Sequence, residues 1–289
     1  MSLIYPKQTM NTPQIAQKPT TITFIGAGNM ARSLIIGLLQ DKANVLLRVA
    51  DPDPQQLDAI RQHWPDVQAT QDNAEALQGA DVVVLAVKPQ VMREVLEPLA
   101  DLAQRTRPLV ISIAAGIREA ALNQWLGGNL PIVRCMPNTP ALVQTGATGL
   151  VANAQVSQAQ RNLAESILRA VGITVWFAEE ASIDSVTAVS GSGPAYFFLV
   201  MEAMQAAAQN LGMSAEDAQL LVVQTALGAA RLALESGEPA AELRRKVTSK
   251  GGTTEAALKV LNDGGLPALF EQALQAAAKR SRELAAANQ

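Results

Sequence analysis

The sequence predicts an α/β protein in which a doubly wound parallel sheet is followed by an all-α C-terminal domain. The first half of the chain alternates short apolar runs with amphipathic helical patterns. Residues 81–87 are apolar almost throughout, which is typical of a strand buried on both faces of a parallel sheet. After residue 177 the strand patterns disappear and long alanine-rich helical stretches follow. Strand–helix alternation followed by helices alone predicts two domains of different class.

The predicted elements follow each other in the order that a doubly wound sheet requires. Strands are predicted at residues 21–25, 45–50, 81–87, 109–113, 132–136 and 173–177. The helices between them are predicted at residues 28–40, 55–63, 91–104 and 118–126. The C-terminal helices are predicted at residues 192–211, 214–236, 239–247, 253–262 and 266–287. The change of character places the domain boundary near residue 179, so residues 21–179 form one domain and residues 180–289 the next.

Composition favours a globular protein and excludes several classes of partner. The 289 residues are 48% hydrophobic and 17% charged, with a formal net charge of −3. No basic run is present, so nucleic acid is not an expected partner, and no apolar run reaches the roughly 18 residues of a membrane span. Cys135 is the single cysteine, which excludes an intrachain disulfide and favours a reducing, cytoplasmic location. Residues 1–20 lack the apolar core of a signal peptide, and we interpret them as a flexible tail.

A glycine-rich loop joins the first predicted strand to the first predicted helix. Residues 24–31, FIGAGNMA, contain the pattern G-x-G-x-x-A. In this pattern Gly26 permits a tight turn, Gly28 lets a pyrophosphate approach the backbone, and Ala31 allows the helix to pack closely on the strand. The strand before the loop and the helix after it favour a Rossmann-type dinucleotide-binding domain over a purely structural turn.

The choice between NADH and NADPH depends on the residues after the second predicted strand. Asp51 lies there, about 20 residues beyond the glycine-rich loop, where a carboxylate commonly bonds the ribose hydroxyls of NAD. No Arg or Lys lies between Ala50 and Ile60 to neutralise the 2′-phosphate of NADP. These residues favour NAD, with a simple turn at Asp51 and Pro52 as the alternative.

A second anion-binding pattern begins one of the C-terminal helices. Residues 246–254, KVTSKGGTT, place two glycines and two threonines at the predicted helix start. The first turn of a helix leaves backbone N–H groups unpaired and carries the positive end of the helix dipole. Gly251 and Gly252 let an anion approach these groups, and the hydroxyls of Thr253 and Thr254 add donors. The segment predicts a site for a small carboxylate or phosphate, with a plain helix cap as the alternative.

The residues that serve alcohol oxidation in many dehydrogenases are missing from the expected places. His63, the one histidine, falls in a predicted surface helix, which argues against a histidine proton relay and against a His/Cys metal site. Tyr196 is followed four residues later by Val200, not by the lysine of short-chain dehydrogenases, and residues 192–211 contain no lysine. Reduction of a protonated imine needs no such base, because the iminium carbon already carries positive charge. The sequence therefore favours C=N chemistry.

Six segments of the chain, taken together, match the motifs of one enzyme family. They are residues 24–31, 85–89, 112–116, 134–140, 190–196 and 247–254, and they occur in the family's order. On these motifs the chain resembles the Δ1-pyrroline-5-carboxylate reductases, which catalyse the last step of proline synthesis. The resemblance implies that NADPH or NADH transfers a hydride to Δ1-pyrroline-5-carboxylate to give L-proline. It also implies a homo-oligomer, a dimer or larger, whose C-terminal helices interlock.

The resemblance further implies a role for individual residues. Cofactor contacts are implied for Ile25, Gly26, Ala27, Gly28, Asn29, Met30, Asp51, Asn73, Ala86, Val87, Lys88, Pro89, Ala114 and Ala115. Substrate contacts are implied for Glu180, Gly252, Thr253 and Thr254, with Thr254 as the catalytic residue that hydrogen-bonds the imine nitrogen. Lys250 departs from the family, which usually has proline there. The alternatives are a related imine or hydroxyacid oxidoreductase and a non-catalytic NAD(P)-sensing regulator.

Overall fold

The computed structural model describes residues 18–41 and 43–287 of the chain. Contacts divide these residues into a sheet unit, residues 18–194 with 274–287, and a helical unit, residues 195–273. Most of the predicted flexible tail, residues 1–17, lies outside the described residues, and the first strand already begins at Thr20. The predicted α/β fold class, a Rossmann-type domain followed by an all-α domain, is confirmed.

Eight strands form one sheet in the sheet unit, in the order β3-β2-β1-β4-β5-β6-β7-β8. They are β1 Thr20–Ile25, β2 Val45–Ala50, β3 Gln68–Thr70, β4 Val82–Leu85, β5 Leu109–Ser112, β6 Ile132–Met136, β7 Gly146–Ala152 and β8 Gly172–Trp176. The six strands from β3 to β6 pair in parallel, whereas β7 runs antiparallel to β6 and β8 parallel to β7. The parallel part has the strand order of a doubly wound dinucleotide-binding sheet.

The helices of the sheet unit are mostly short and lie between these strands. They are α1 Asn29–Gln40, α2 Pro54–His63, α3 Asn73–Leu77, α4 Met92–Leu96, α5 Ala100–Thr106, α6 Glu119–Trp125, α7 Gln158–Arg169 and α8 Ser182–Val186. A π-helical turn, Thr187–Gly191, follows α8. The single helix predicted at 91–104 is divided by a 3-10 turn at Glu97–Leu99. Pro98 lies in that turn and cannot donate a helical backbone hydrogen bond, which accounts for the break.

Both faces of the sheet are buried, as the continuous apolar runs predict. Val82 and Val84 pack into one core cluster, while Val83 and Leu85 pack into another. Because successive side chains of a strand point to opposite faces, this alternation places one cluster on each side of β4. All four residues of β4 are buried, which is the pattern of a central strand in an α/β sheet.

Strand β7 is not predicted by the sequence, and its glycines explain why. Gly146 and Gly149 give the segment little apolar side chain, so it has no strand signal. The structure needs both glycines, because a Cβ atom on Gly149 would lie 2.7 Å from the side chain of Val186 in α8. A Cβ atom on Gly146 would lie 2.9 Å from the carbonyl oxygen of Val171. Glycine at these two positions allows close packing on β7, and the segment therefore lacks the alternating apolar pattern by which strands are predicted.

Five helices complete the described part of the chain, with bounds close to those predicted. They are α9 Gly193–Asn210, α10 Ala215–Ser236, α11 Ala240–Lys246, α12 Thr253–Asp263 and α13 Leu266–Ala287. Leu220, Leu227 and Leu234 are 68%, 59% and 79% exposed, and their seven-residue spacing places them along one face of α10. No helix of the described residues is both long enough and apolar enough to cross a bilayer. The predicted boundary at residue 179 stays a prediction.

Candidate functional site

The loops after β1, β2 and β4 meet at the carboxyl edge of the sheet, where the strand order reverses. The N–H of Gly26 donates to the carbonyl oxygen of Ala50 at 2.7 Å, and the N–H of Ala86 donates to that of Ile25 at 2.8 Å. These bonds hold the glycine-rich loop between the ends of β2 and β4. In open α/β sheets this reversal of strand order is where ligands bind.

Gly26 and Gly28 are needed in the loop for different structural reasons. Gly26 has a φ of +103°, and a Cβ atom there would lie 2.7 Å from the carbonyl oxygen of Ala86. Gly28 is the N-cap of α1 and faces open space, where an added Cβ atom would have no neighbour within 4 Å. An anion in that space would meet the free N–H groups and the positive dipole end of a 12-residue helix. The loop therefore fits the pyrophosphate of a dinucleotide.

Asp51 ties the glycine-rich loop to the loop after β2. Its Oδ2 atom accepts a hydrogen bond of 2.8 Å from the N–H of Ala27, and its Oδ1 atom accepts one of 2.9 Å from the N–H of Asp53. Asp53 in turn caps α2 by accepting from the N–H of Gln55. The carboxylate lies at the end of β2, the position at which such sheets bind the adenosine ribose.

Arg32 brings a cation to the same loop from the first turn of α1. Its Nε atom donates to the carbonyl oxygen of Ala27 at 3.0 Å, and its Nη2 atom donates to Oε1 of Gln56 at 2.6 Å. Arg32 is half-buried. Sequence reasoning missed it because only residues after Asp51 were considered as a source of positive charge. The available signal was its position directly after the G-x-G-x-x-A pattern.

The other predicted cofactor residues also follow strands at this edge. Asn73 is the first residue of α3, which follows β3, and it is half-buried. The segment 86–89 follows β4, with Ala86 and Val87 half-buried, Lys88 exposed and Pro89 starting a 3-10 turn. Ala114 and Ala115 follow β5. The predicted cofactor residues are thus brought together by the parallel strand order.

The second predicted site is the start of α12 in the helical unit. Gly252 is the N-cap, and no side chain caps the helix. Gly251 has a φ of +72°, and a Cβ atom on Gly252 would lie 2.7 Å from the hydroxyl oxygen of Ser249. Thr253 is exposed and Thr254 is half-buried. A helix start without a side-chain cap leaves its N–H groups available to a carboxylate.

Charged side chains flank this helix start. Oε2 of Glu255 accepts a hydrogen bond of 2.7 Å from the N–H of Gly251, so a carboxylate already uses one donor of the turn. Lys250 is exposed on the same turn. An arriving carboxylate would experience attraction from Lys250 and repulsion from Glu255.

Glu180 lies in the sheet unit, within a network of ion pairs and hydrogen bonds. Its Oε1 atom accepts from Nη1 of Arg134 at 2.6 Å and from the N–H of Glu119 at 2.7 Å. The side chain of Arg134 is only 5% exposed. Glu180 thereby pairs a buried guanidinium and caps the start of α6. Its predicted contact with the substrate stays a prediction, with one carboxylate oxygen already engaged.

A second ion pair holds the same segment. Nη2 of Arg118 lies 2.9 Å from Oδ2 of Asp184, which is 5% exposed. The other oxygen of Asp184 accepts a 2.6 Å hydrogen bond from the hydroxyl of Ser281 in α13. The start of α6 is therefore fixed from two sides, by Glu180 and by Asp184. The loop that carries Ala114 and Ala115 ends at this anchor.

The single histidine and the single cysteine lie away from both predicted sites in sequence. His63 is exposed at the end of α2, with Nδ1 2.8 Å from the carbonyl oxygen of Ala59. Cys135 is buried in β6, and its thiol donates to the carbonyl oxygen of Ser112 at 3.3 Å. Within residues 18–41 and 43–287, no three His, Cys, Asp or Glu side chains are grouped so that they could hold a metal ion.

Comparisons with known proteins agree with this arrangement. Residues 21–116 match a family model described as NADP oxidoreductase coenzyme F420-dependent. Residues 180–284 match one described as pyrroline-5-carboxylate reductase dimerisation. These two segments contain the glycine-rich loop and the start of α12.

Relatives match over nearly the whole chain. Pyrroline-5-carboxylate reductase of Pseudomonas aeruginosa is 55% identical over 277 residues, which cover 96% of this chain and 98% of that protein. The solved reductase of Coxiella burnetii superposes with a TM-score of 0.87 at 49% identity, covering 93% of this chain and 99% of that one. The Plasmodium falciparum enzyme, solved with NADP bound, gives 0.80 at 27% identity, covering 93% of this chain and 99% of that one. The chain therefore belongs to the pyrroline-5-carboxylate reductase family.

Proposed function

We propose that this protein reduces Δ1-pyrroline-5-carboxylate to L-proline with NADPH or NADH, the last step of proline synthesis. The observation that carries the proposal is the uncapped glycine–threonine start of α12 in a chain of this family. In the reaction a hydride adds to the imine carbon, the C=N bond becomes a single bond, and the nitrogen ends protonated. The nicotinamide dinucleotide supplies the hydride when it is bound. The imine takes its proton from solvent before the hydride arrives, so the protein supplies binding and orientation.

The cofactor would be held by the loops at the carboxyl edge of the sheet. Residues 25–30 would bind the pyrophosphate, Asp51 would contact the adenosine ribose, and Asn73 would reach the cofactor. Residues 86–89 would line the ribose next to the nicotinamide, and Ala114 and Ala115 would flank the ring. Small side chains at 114 and 115 leave room for a flat ring, and their loop is held by the anchored start of α6.

The substrate carboxylate would bind at the start of α12. Backbone N–H groups near Gly252 and the hydroxyl of Thr253 would hold it, and this fixes the ring. The hydroxyl oxygen of Thr254 would accept a hydrogen bond from the N–H of the protonated imine, where positive charge is present. Glu180 would lie near the substrate. The free donors of the first turn and the half-buried position of Thr254 support these roles.

The active form would be a homo-oligomer located in the cytoplasm. The family model for dimerisation covers residues 180–284, and the helices there expose many large apolar side chains. A partner subunit would complete the substrate pocket. We assign residues 21–179 to the dinucleotide-binding domain and residues 180–289 to the dimerisation and substrate domain. A buried free cysteine fits a reducing compartment.

The test is a comparison of the unaltered protein with Thr254→Ala and Thr254→Ser. Oxidation of NADPH and NADH is followed by absorbance with Δ1-pyrroline-5-carboxylate present. Loss of a hydrogen bond to a charged group costs about 1.5–3 kcal/mol, so Thr254→Ala should lower kcat/KM about ten- to hundredfold. Thr254→Ser keeps the hydroxyl and should keep most of the rate.

Two outcomes would contradict the proposal at different points. Absence of turnover with either cofactor in the unaltered protein would reject the assigned reaction. An unchanged kcat/KM in Thr254→Ala would retain the reaction and remove Thr254 from it. Thr248→Ala serves as the control, because the Thr248 hydroxyl donates to the carbonyl oxygen of Arg244 in the chain itself.

A further inference from the structure

We propose that Arg32 binds the 2′-phosphate of NADPH, and that Arg32 and Asp51 together decide how well each cofactor binds. The inference rests on the proposed function, because it assumes a dinucleotide at the glycine-rich loop. It concerns the adenosine end of the cofactor, far from the reacting carbon. The segment between Ala50 and Ile60 contains no Arg or Lys, whereas the fold brings a cation to it from α1.

The two charges meet the backbone of the same residue. Asp51 accepts from the N–H of Ala27, and Arg32 donates to the carbonyl oxygen of Ala27. The carboxylate of Asp51 and the guanidinium of Arg32 are therefore both fixed beside Ala27 in the glycine-rich loop. Asp51 also accepts from the N–H of Asp53 in the loop after β2, and Arg32 also donates to Gln56 in the first turn of α2.

The loop after β2 lies where the adenosine ribose binds. In a sheet of this strand order, the end of β2 is where the 2′-oxygen of that ribose lies. Asp51 ends β2 on this edge, and the guanidinium of Arg32 spans from the glycine-rich loop to the first turn of α2. A phosphate on the 2′-oxygen would enter the space beside this guanidinium. Nε and Nη2 of Arg32 already donate to Ala27 and Gln56, so the phosphate would bond the charged guanidinium through its remaining N–H groups.

The other nearby arginines are directed elsewhere. Arg48 of β2 donates to the carbonyl oxygen of Gln78 and to the side chain of Gln68, next to β3. Arg61 of α2 pairs with Asp58 and donates to the carbonyl oxygen of Ala69. Of these three arginines, Arg32 is the one whose contacts lie on the glycine-rich loop and at Gln56.

The acidic groups in the same place act in the opposite direction. Asp51 and Asp53 are both half-buried and would repel a 2′-phosphate, while the carboxylate of Asp51 can accept from a free 2′-hydroxyl. Arg32 offsets that repulsion. The pair predicts a protein that accepts both cofactors, with NADPH binding dependent on Arg32 and NADH binding largely independent of it.

The test measures nucleotide binding without any reaction. Isothermal titration calorimetry of the full chain compares adenosine 2′,5′-bisphosphate with AMP, which differ only in the 2′-phosphate. Arg32→Gln should weaken the bisphosphate about tenfold or more and change AMP by less than about twofold, since one charge-assisted contact is lost. Arg32→Lys, which keeps the charge without the planar donors, should fall between. Arg61→Gln removes the same charge from α2 and should alter neither.

Three other outcomes would each contradict the inference or the proposed cofactor site. Equal weakening of the two nucleotides by Arg32→Gln would reduce Arg32 to a support of the loop and overturn the inference. Unchanged binding of the bisphosphate would overturn it as well. Failure of the unaltered protein to bind either nucleotide would overturn the cofactor site of the proposed function. Circular dichroism of the variants establishes that each is folded.

Discussion

Cys135 shows how strongly one position in the sheet can change the chemistry of a side chain. It lies in β6 with 2% of its surface exposed, and burial raises the pKa of its thiol from 9.0 to about 12, partly offset by the positive charge of Arg134. A thiol reacts as its thiolate, so a raised pKa makes it inert at neutral pH. Cys135 is therefore a packing residue.

The raised pKa gives a prediction for stability. Because the folded state disfavours the thiolate, the contribution of Cys135 is complete below its ordinary pKa of 9.0 and is lost as pH rises towards about 12. The free energy of unfolding should therefore fall more steeply above about pH 9 in the unaltered protein than in Cys135→Ala. Urea unfolding at several pH values measures both slopes.

The outcome against this prediction is equal slopes in the two proteins, which would show that the thiol titrates as it does in solvent. A reagent for free thiols provides an independent check. It should label Cys135 only on unfolding.

Asp51 and Arg32 show what sequence reasoning could and could not reach at single positions. Asp51 was found because the distance from the glycine-rich loop is a property of the chain. The sequence does not predict the contacts of Arg32, because they join α1 to the glycine-rich loop and to Gln56 in α2, which the folded structure brings together. Spacing along the chain therefore predicts the position of Asp51, but it does not predict which loop the side chain of Arg32 contacts.

At the scale of elements, two carboxylates hold the start of α6, one in α8 and one just before it. Asp184 pairs with Arg118, and Glu180 accepts from the N–H of Glu119. The loop after β5, with Ala114 and Ala115, lies between the sheet and this anchor. Its backbone is thus fixed at both ends.

Removing one partner of the buried pair should be costly. Asp184→Asn leaves Arg118, whose side chain is 21% exposed, without its carboxylate. The free energy of unfolding should fall by about 2–4 kcal/mol, because an uncompensated, partly buried charge remains. Urea unfolding measures this change.

The matched control is Glu235→Gln in the Arg231–Glu235 pair of α10, whose side chains are 73% and 60% exposed. Exposed pairs contribute about 0–1 kcal/mol, so this variant should be nearly neutral. Equal effects of the two substitutions would contradict the role given to Asp184.

The sequence predicts those helices and strands whose periodic apolar pattern reflects burial alone. The long C-terminal helices and the apolar parallel strands belong to this class. The strand β7 does not, since close packing at its glycines determines it, and neither does the π-helical turn at Thr187–Gly191. Asn138 illustrates the same point, because its side chain joins β6 to β7 and to Ser190. Such links depend on tertiary contacts that a single sequence does not display.

At the scale of the whole molecule, the apolar surface of the helices has to be covered. Phe197, Phe198 and Leu199 are each more than 60% exposed in the single chain, as are Leu220 and Leu234 of α10. Monomers rarely leave so many large apolar residues together in water. A dimerisation family model over the same residues identifies a second copy of the chain as the cover.

We expect the protein to form a dimer or a larger assembly. We also expect a charge introduced on α10 to weaken that assembly. Light scattering after gel filtration should give the unaltered protein a mass of at least two chains. Leu227→Glu should lower that mass on dilution, because a buried charge without a partner is unfavourable in an apolar interface. Gln158→Glu adds the same charge to the exposed side of α7 and should leave the mass unchanged.

A mass of one chain for the unaltered protein would contradict this assembly. An unchanged mass for Leu227→Glu would place α10 outside the interface.

The hydrogen bond between Ser281 and Asp184 has a consequence for synthesis of the chain. These residues are 97 positions apart, and residues 274–287 belong to the sheet unit although the helical unit precedes them. The chain is synthesised from its N-terminus, so the last contacts of the sheet unit form only after the final helix has been synthesised. The helical unit is synthesised before that helix is complete, and its exposed apolar residues are then already available to bind a second chain, nascent or finished. Completion of the sheet unit is therefore a late step in the synthesis of this chain, and the apolar surface that a second copy covers is exposed before that step.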